Sequence, residues 1–134
     1  MILVDSSVLI DLIEDQDVQW ADWSQAQIIA ARARDALAIN LLVYAEISRD
    51  FTGKPQLDSF LTDMGLRMDP LTPEIAFAAA AAHAAYRSAG GARAAALPDF
   101  FIGAHASVKG FPLITRDAAR IRTYFPRVSL ITPE

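Results

Sequence analysis

Short apolar runs that alternate with segments of helical period constrain this chain more than any other feature. Ile2-Leu3-Val4 is wholly apolar and stops at Asp5. A run that short, with no polar alternation, reads as a buried strand of a covered parallel sheet. From Ser6-Ser7 the period changes, with Val8, Leu9, Leu12 and Ile13 at helical spacing. Trp20 to Arg34 reads as a second helix, its apolar face expected at Trp20, Trp23, Ala26, Gln27 and Ala30. Ala36 to Asn40 is then a strand and Leu41 to Asp50 a helix. Thr52-Gly53-Lys54-Pro55 is a turn cluster, Gln56 to Met64 a helix closed by Gly65, and Leu66 to Asp69 a third strand. Thr72-Pro73-Glu74 opens an Ala-rich helix that runs to Ser88 and is closed by Gly90-Gly91. Pro98-Asp99 starts the helix Phe100 to Lys109, ended by Gly110. Phe111 to Thr115 is a fourth strand, Asp117 to Arg122 a short helix, and Val128 to Thr132 a last strand. Strands parted by helices in short connections predict an α/β domain with a mostly parallel sheet.

The 134 residues, 53% of them hydrophobic, suit one domain spanning residues 1–134 with an ample core. With no cysteine, disulfides, thiolate metal sites and a Cys nucleophile are excluded, and a reducing, cytoplasmic location is expected. No apolar stretch approaches the roughly 20 residues of a membrane span, so no membrane is expected as a partner. The net charge of −4 conceals a division: residues 1–85 carry −8, and residues 86–134 carry +4. A polyanion could therefore meet one face of an acidic protein.

Four acids stand out through their placement. Asp5 follows the first strand, Glu46 lies in the helix after the second, Asp99 starts the helix before the fourth, and Asp117 follows the fourth. In a parallel sheet the strand exits share one edge, where ligand sites of open α/β folds form. Asp5 and Asp117 meet there if strands one and four are neighbours. Each acid alone has a plainer explanation, because Asp5, Asp99 and Asp117 all stand at helix starts, where carboxylates cap free N–H groups. Glu46 alone reads as a solvated helix residue, since Glu is a good helix former. Leu42, Val43, Ala45 and Ile47 make its helix mostly apolar and weaken that reading. Four carboxylates on one edge repel one another unless a cation lies between them. With hard oxygen donors and only two histidines, that cation is expected to be Mg²⁺ or Mn²⁺. Such an ion serves phosphodiester hydrolysis by activating water and neutralising phosphate charge.

A family resemblance rests on four ordered segments. Val4-Asp5-Ser6-Ser7-Val8-Leu9-Ile10-Asp11 resembles the opening motif of PIN-domain nucleases, above all VapC-type toxins of toxin–antitoxin pairs. Asn40-Leu41-Leu42-Val43-Tyr44-Ala45-Glu46-Ile47 resembles their second motif, with Leu41 where a proline is common. Leu97-Pro98-Asp99-Phe100-Phe101-Ile102-Gly103-Ala104-His105-Ala106 resembles the third, and Leu113-Ile114-Thr115-Arg116-Asp117 the fourth. The resemblance implies a three-layer α/β/α domain with a parallel sheet of about five strands. It further implies an Mg²⁺- or Mn²⁺-dependent endoribonuclease that leaves 5′-phosphate and 3′-hydroxyl ends. An antitoxin would hold it inactive, and it would form a homodimer. Asp5, Glu46, Asp99 and Asp117 match the family's acidic quartet, which serves both as catalytic set and as metal ligands. Ser6 and Thr115 match its hydroxyl positions beside the acids, and Arg116 is expected at the substrate phosphates. Residues 90–96 match no motif.

Other features are weaker. Arg120 and Arg122 could hold RNA phosphates or form a solvated basic face. His83 and His105 lack metal-ligand spacing and are expected to be packed or partly exposed. The apolar face of the Trp20–Arg34 helix is a candidate groove for an antitoxin helix. Two competing functions stand beside the nuclease. An aspartyl-phosphate enzyme would need a second Asp two residues after Asp5, where Ser7 stands. A non-catalytic interaction module, whose acids only cap helices, predicts no affinity for Mg²⁺ or Mn²⁺.

Overall fold

The structure, a computed structural model, describes residues 1–14, 18–90 and 95–133. Five strands, β1 Ile2–Val4, β2 Leu37–Ile39, β3 Leu66–Met68, β4 Leu113–Ile114 and β5 Leu130–Ile131, form one sheet in the order β3-β2-β1-β4-β5. Every neighbouring pair is parallel, with Leu3 opposite Ala38 on one side and Leu113 on the other. Seven α-helices are described: α1 Ser6–Glu14, α2 Val18–Arg34, α3 Leu41–Ser48, α4 Lys54–Met64, α5 Pro73–Ser88, α6 Phe101–Lys109 and α7 Ala119–Tyr124. A 3₁₀ turn, Leu97–Phe100, leads into α6. The expected α/β/α fold with a five-stranded parallel sheet is therefore present.

Alternation along each short strand builds two cores. Ile2 and Val4, with Leu37, Ile39 and Ile114, pack with Val8, Val43, Ile47 and Leu57. Leu3, Ala38 and Leu113 point the other way, onto Ile75, Ala79, Phe100, Ala104 and Ile121. Both faces of the sheet are covered, which is why its strands carry no polar side chain in β1, β2 or β4.

The sequence misplaces some boundaries. α4 begins at Lys54, inside the expected turn cluster, because Gly53 takes the N-cap place and Pro55 fits the first turn. The helix expected from Asp117 begins at Ala119. On α2 the apolar stripe is rotated: Ala21, Ser24, Ile28 and Ala31 are buried, whereas Ala26 and Ala30 are exposed. Buried Ser24 conceals the true face, and its hydroxyl is satisfied by donating to Asp11 Oδ2 at 2.8 Å. Gly91, Ala92, Arg93 and Ala94, within the stretch that matches no motif, lie outside the described residues.

A buried polar line fixes the start of α3. Asn40 Oδ1 accepts from the Val43 N–H at 3.0 Å and caps the helix, which accounts for a sound start without the proline. Its amide Nδ2 then faces His105 Nδ1 at 3.1 Å, and His105 Nε2 faces Asp69 Oδ2 at 2.7 Å. With Asn40 donating, Nδ1 accepts and the Nε2–H donates to the carboxylate. His105 is thus a packed residue, fully buried, that ties α6 to α3 and to the exit of β3.

On the other face, α6 approaches α7 through Gly103. A Cβ there would stand 2.4 Å from Phe125 Cδ2 and 3.0 Å from Ile121 Cδ1. Gly103→Ala should therefore destabilise the fold by about 1–3 kcal/mol, although alanine is the better helix former. Urea unfolding checks this; equal or greater stability would show that α7 yields freely.

Candidate active site

Strand order decides where a site can form. β1 carries β2 on one side and β4 on the other, so the connections diverge from it and leave a crevice at the strand exits. A cavity of about 270 Å³ lies there, and Asp5, Glu46, Asp99 and Asp117 all line it, together with Ser6, Ser7 and Arg120. The acids reach it from four separate stretches: the end of β1, α3, the 3₁₀ turn and the loop after β4. Ile10, Leu42, Val43, Ile102 and Ile121 form the apolar part of its wall.

Asp5 is held by three donors. Its Oδ1 accepts from the Ser6 N–H at 2.9 Å, and its Oδ2 accepts from the Ser7 and Thr115 hydroxyls at 3.0 and 2.7 Å. The two hydroxyls are themselves acceptors. Thr115 Oγ1 takes the Asp117 N–H at 3.0 Å, and Ser7 Oγ takes the Arg116 N–H at 3.3 Å. The carboxylate at the exit of β1 is thereby linked, through two side chains, to the backbone that follows β4.

Capping accounts for part of this arrangement. Asp99 Oδ2 accepts from the Ala96 N–H at 2.9 Å, so this acid closes its own 3₁₀ turn, and Asp5 meets the first N–H of α1. Asp117 differs: Ala118 is the N-cap of α7 and makes no side-chain cap bond, and the Asp117 carboxylate has no hydrogen-bond partner among the described residues. Glu46 sits beyond the first turn of α3. Capping therefore accounts for Asp5 and Asp99 only; Glu46 and Asp117 are exposed where they line the cavity.

The charges act on one another. Burial pushes the Asp5 carboxyl above its ordinary value, the Thr115, Ser7 and Ser6 hydrogen bonds oppose this, and the charge of Asp117 adds to it. Partial burial also raises Glu46, the Ser6 hydroxyl draws it down, and the charges of Asp5 and Asp99 push it up again. Among the described residues, no three acidic or histidine side chains are already gathered into a metal cage. The donors that line the cavity are nevertheless oxygens throughout, a set suited to a hard divalent ion that keeps waters of its own.

Arg116, expected at the substrate phosphates, stands outside this cavity. Its Nε and Nη2 donate to Asp11 Oδ2 and Oδ1 at 2.6 and 2.8 Å, and its guanidinium lies 4.6 Å above the Trp20 ring. The side chain joins the loop after β4 to α1 and α2, and only its backbone N–H reaches toward Asp5, through Ser7. Sequence reasoning passed over Ser7 and Asp11. Ser7 stands two residues beyond an Asp, the offset at which Asp side chains return to the chain. Asp11 is an acid on a mostly apolar helix, the same signal that marked Glu46.

A raised carboxyl gives stability a definite pH dependence. When the folded pKa exceeds the unfolded one, the folded state binds more protons, and stability falls as pH rises through that interval. For Glu46 the interval opens at the ordinary value of 4.5 and extends upward. Glu46→Gln, without added metal, should raise the unfolding midpoint at pH 7 by roughly 1–3 °C, as for a partly screened charge. The gain should vanish below the ordinary value. Thermal unfolding at several pH values checks this; an unchanged or lower midpoint at pH 7 would contradict the mutual repulsion.

Comparison with known proteins bears on the fold and the family. No curated protein sequence matches the chain. Among solved structures, a toxin–antitoxin complex from Klebsiella pneumoniae is 22% identical, with a TM-score of 0.68, covering 100% of this chain and 98% of that one. VapBC-1 from nontypeable Haemophilus influenzae is 18% identical, with a TM-score of 0.70 and 98% of both chains covered. VapBC2 from Rickettsia felis, bound to a DNA fragment from its promoter, is 17% identical, with a TM-score of 0.69 and the same coverage. At these identities the likeness is one of fold. The PIN domain family model matches residues 2–126, from β1 through α7 and with all four acids inside the match, and the chain belongs to the PIN-domain family.

Proposed function

We propose that this chain is a divalent-metal-dependent endoribonuclease and the toxin of a toxin–antitoxin pair. The observation that carries the proposal is the meeting of Asp5, Glu46, Asp99 and Asp117 in one cavity at the switch point of the sheet. PIN domains are generally nucleases, and the chain's fold is shared with toxin–antitoxin complexes. Asp5, Glu46, Asp99 and Asp117 would hold the ion, Mg²⁺ or Mn²⁺. When bound, it supplies an activated water and neutralises charge on phosphate oxygens.

The chain's own residues do the positioning. Ser7 and Thr115 turn the Asp5 oxygens and keep the loop that bears Asp117 against β1. The 3₁₀ turn presents Asp99 beside them. An antitoxin helix would lie in the apolar groove between α2 and α4, lined by Leu12, Ile28, Ile29, Phe60 and Met64. We place the protein in the cytoplasm as a single PIN domain and a homodimer. Among the described residues, no helix is long and apolar enough to cross a membrane.

Two measurements test the proposal. Asp5→Asn or Asp99→Asn should leave the protein folded and reduce RNA cleavage by at least about 100-fold. Mapping of new 5′ ends in cellular RNA after brief induction, beside the Asp5→Asn control, reads this; full cleavage by either purified variant would defeat the assignment. Mn²⁺ should raise the unfolding midpoint of the wild type, and Asp5→Asn with Asp99→Asn should remove that rise. A module whose acids only cap helices would show no Mn²⁺ response, with or without an RNA oligonucleotide present.

A further inference from the structure

Arg120 is a cation that the acids surrounding it have not captured. It lines the same cavity as the four carboxylates, yet among the described residues its guanidinium forms no ion pair and no hydrogen bond. An aromatic platform holds it instead. The guanidinium carbon stands 5.5 Å from the Phe100 ring centre and 5.9 Å from that of Tyr86. Those rings are packed against each other and against Tyr124, and Phe100 is fully buried. Arg116, four residues earlier, shows the contrast, since its donors are committed to Asp11.

A guanidinium held near aromatic rings, without an ion pair or hydrogen bond among the described residues, keeps its N–H donors available. Those donors form a planar fork that matches two oxygens of a phosphate. We propose that Arg120 is the phosphate-binding residue of the site, taking the non-bridging oxygens of a nucleic-acid phosphodiester while the carboxylates are reserved for the metal. This inference rests on the nuclease assignment. Phe100 directly follows Asp99, so a single 3₁₀ turn fixes both the carboxylate and the platform under the cation. The spacing between metal-holding and phosphate-holding groups is therefore built into one short segment.

The test uses binding, with cleavage disabled. In the Asp5→Asn background, a short fluorescein-labelled single-stranded RNA is titrated at a series of salt concentrations, with Arg120 intact, Arg120→Gln or Arg120→Lys. Loss of one phosphate contact should weaken binding by about tenfold and reduce the slope of log affinity against log salt by about 0.7. Arg120→Lys should keep the slope and recover only part of the affinity, because an ammonium lacks the fork. In the otherwise wild-type protein, Arg120→Lys should keep the Mn²⁺ response, and Arg120→Gln should not weaken it because a neighbouring positive charge is removed. Unfolding midpoints report whether the variants are folded. RNA binding with the same affinity and slope in Arg120→Gln would overturn the inference and leave the nuclease assignment standing. A wild-type protein that neither responds to Mn²⁺ nor cleaves RNA would bring down both. Should Arg120→Gln not fold, Arg120→Lys decides: affinity equal to that of arginine rejects the forked contact.

Discussion

The gathering of like-charged carboxylates at one edge of the sheet is the constraint on which the rest of this site depends. Four of them line one cavity, and each has its own anchor in the fold. Asp5 is held by two hydroxyls and an N–H, and Asp99 by its own 3₁₀ turn. Glu46 depends on a helix whose first turn is fixed by Asn40, His105 and Asp69. Asp117 is held through its backbone, by the Thr115 hydroxyl, and its carboxylate has no hydrogen-bond partner among the described residues. Asp5 is half-buried, whereas Glu46, Asp99 and Asp117 are exposed, so solvent screens part of the repulsion among them.

Much of the fold was legible because both faces of the sheet are buried. Ile2-Leu3-Val4 and Leu113-Ile114 announce themselves as strands by lacking any polar alternation, and Gly65 and Gly110 end their helices with φ of 71° and 69°. The acids were legible because they stand at strand exits or interrupt an apolar helix. What stayed hidden depends on partners distant in sequence. Arg116 reads as a free cation until Asp11 is brought to it across 105 positions. Ser24 reads as a polar, outward residue until the same Asp11 accepts its hydroxyl. Periodicity counts side chains by type, and so it mistakes a satisfied polar group in the core for a surface one.

The charge division along the chain acquires a spatial meaning in this cavity. The acidic first part contributes Asp5 and Glu46, and the basic last part contributes Asp99, Asp117 and Arg120. Neither part makes the site alone. Pairing of β1 with β4 brings them together, so closing the centre of the sheet and assembling the cavity are one event.

The brevity of the strands has a further consequence. β4 contributes only Leu113 and Ile114 to the ladder, and Leu113 and Ile114 point into opposite cores. Sliding β4 by a single residue would exchange those cores and carry the following loop by about 3.3 Å along the strand axis. Intermediate positions do not exist for a pleated strand. The alignment of the two chain halves is thus a discrete quantity, and Thr115 reaching back to Asp5 acts as the detent that selects one setting.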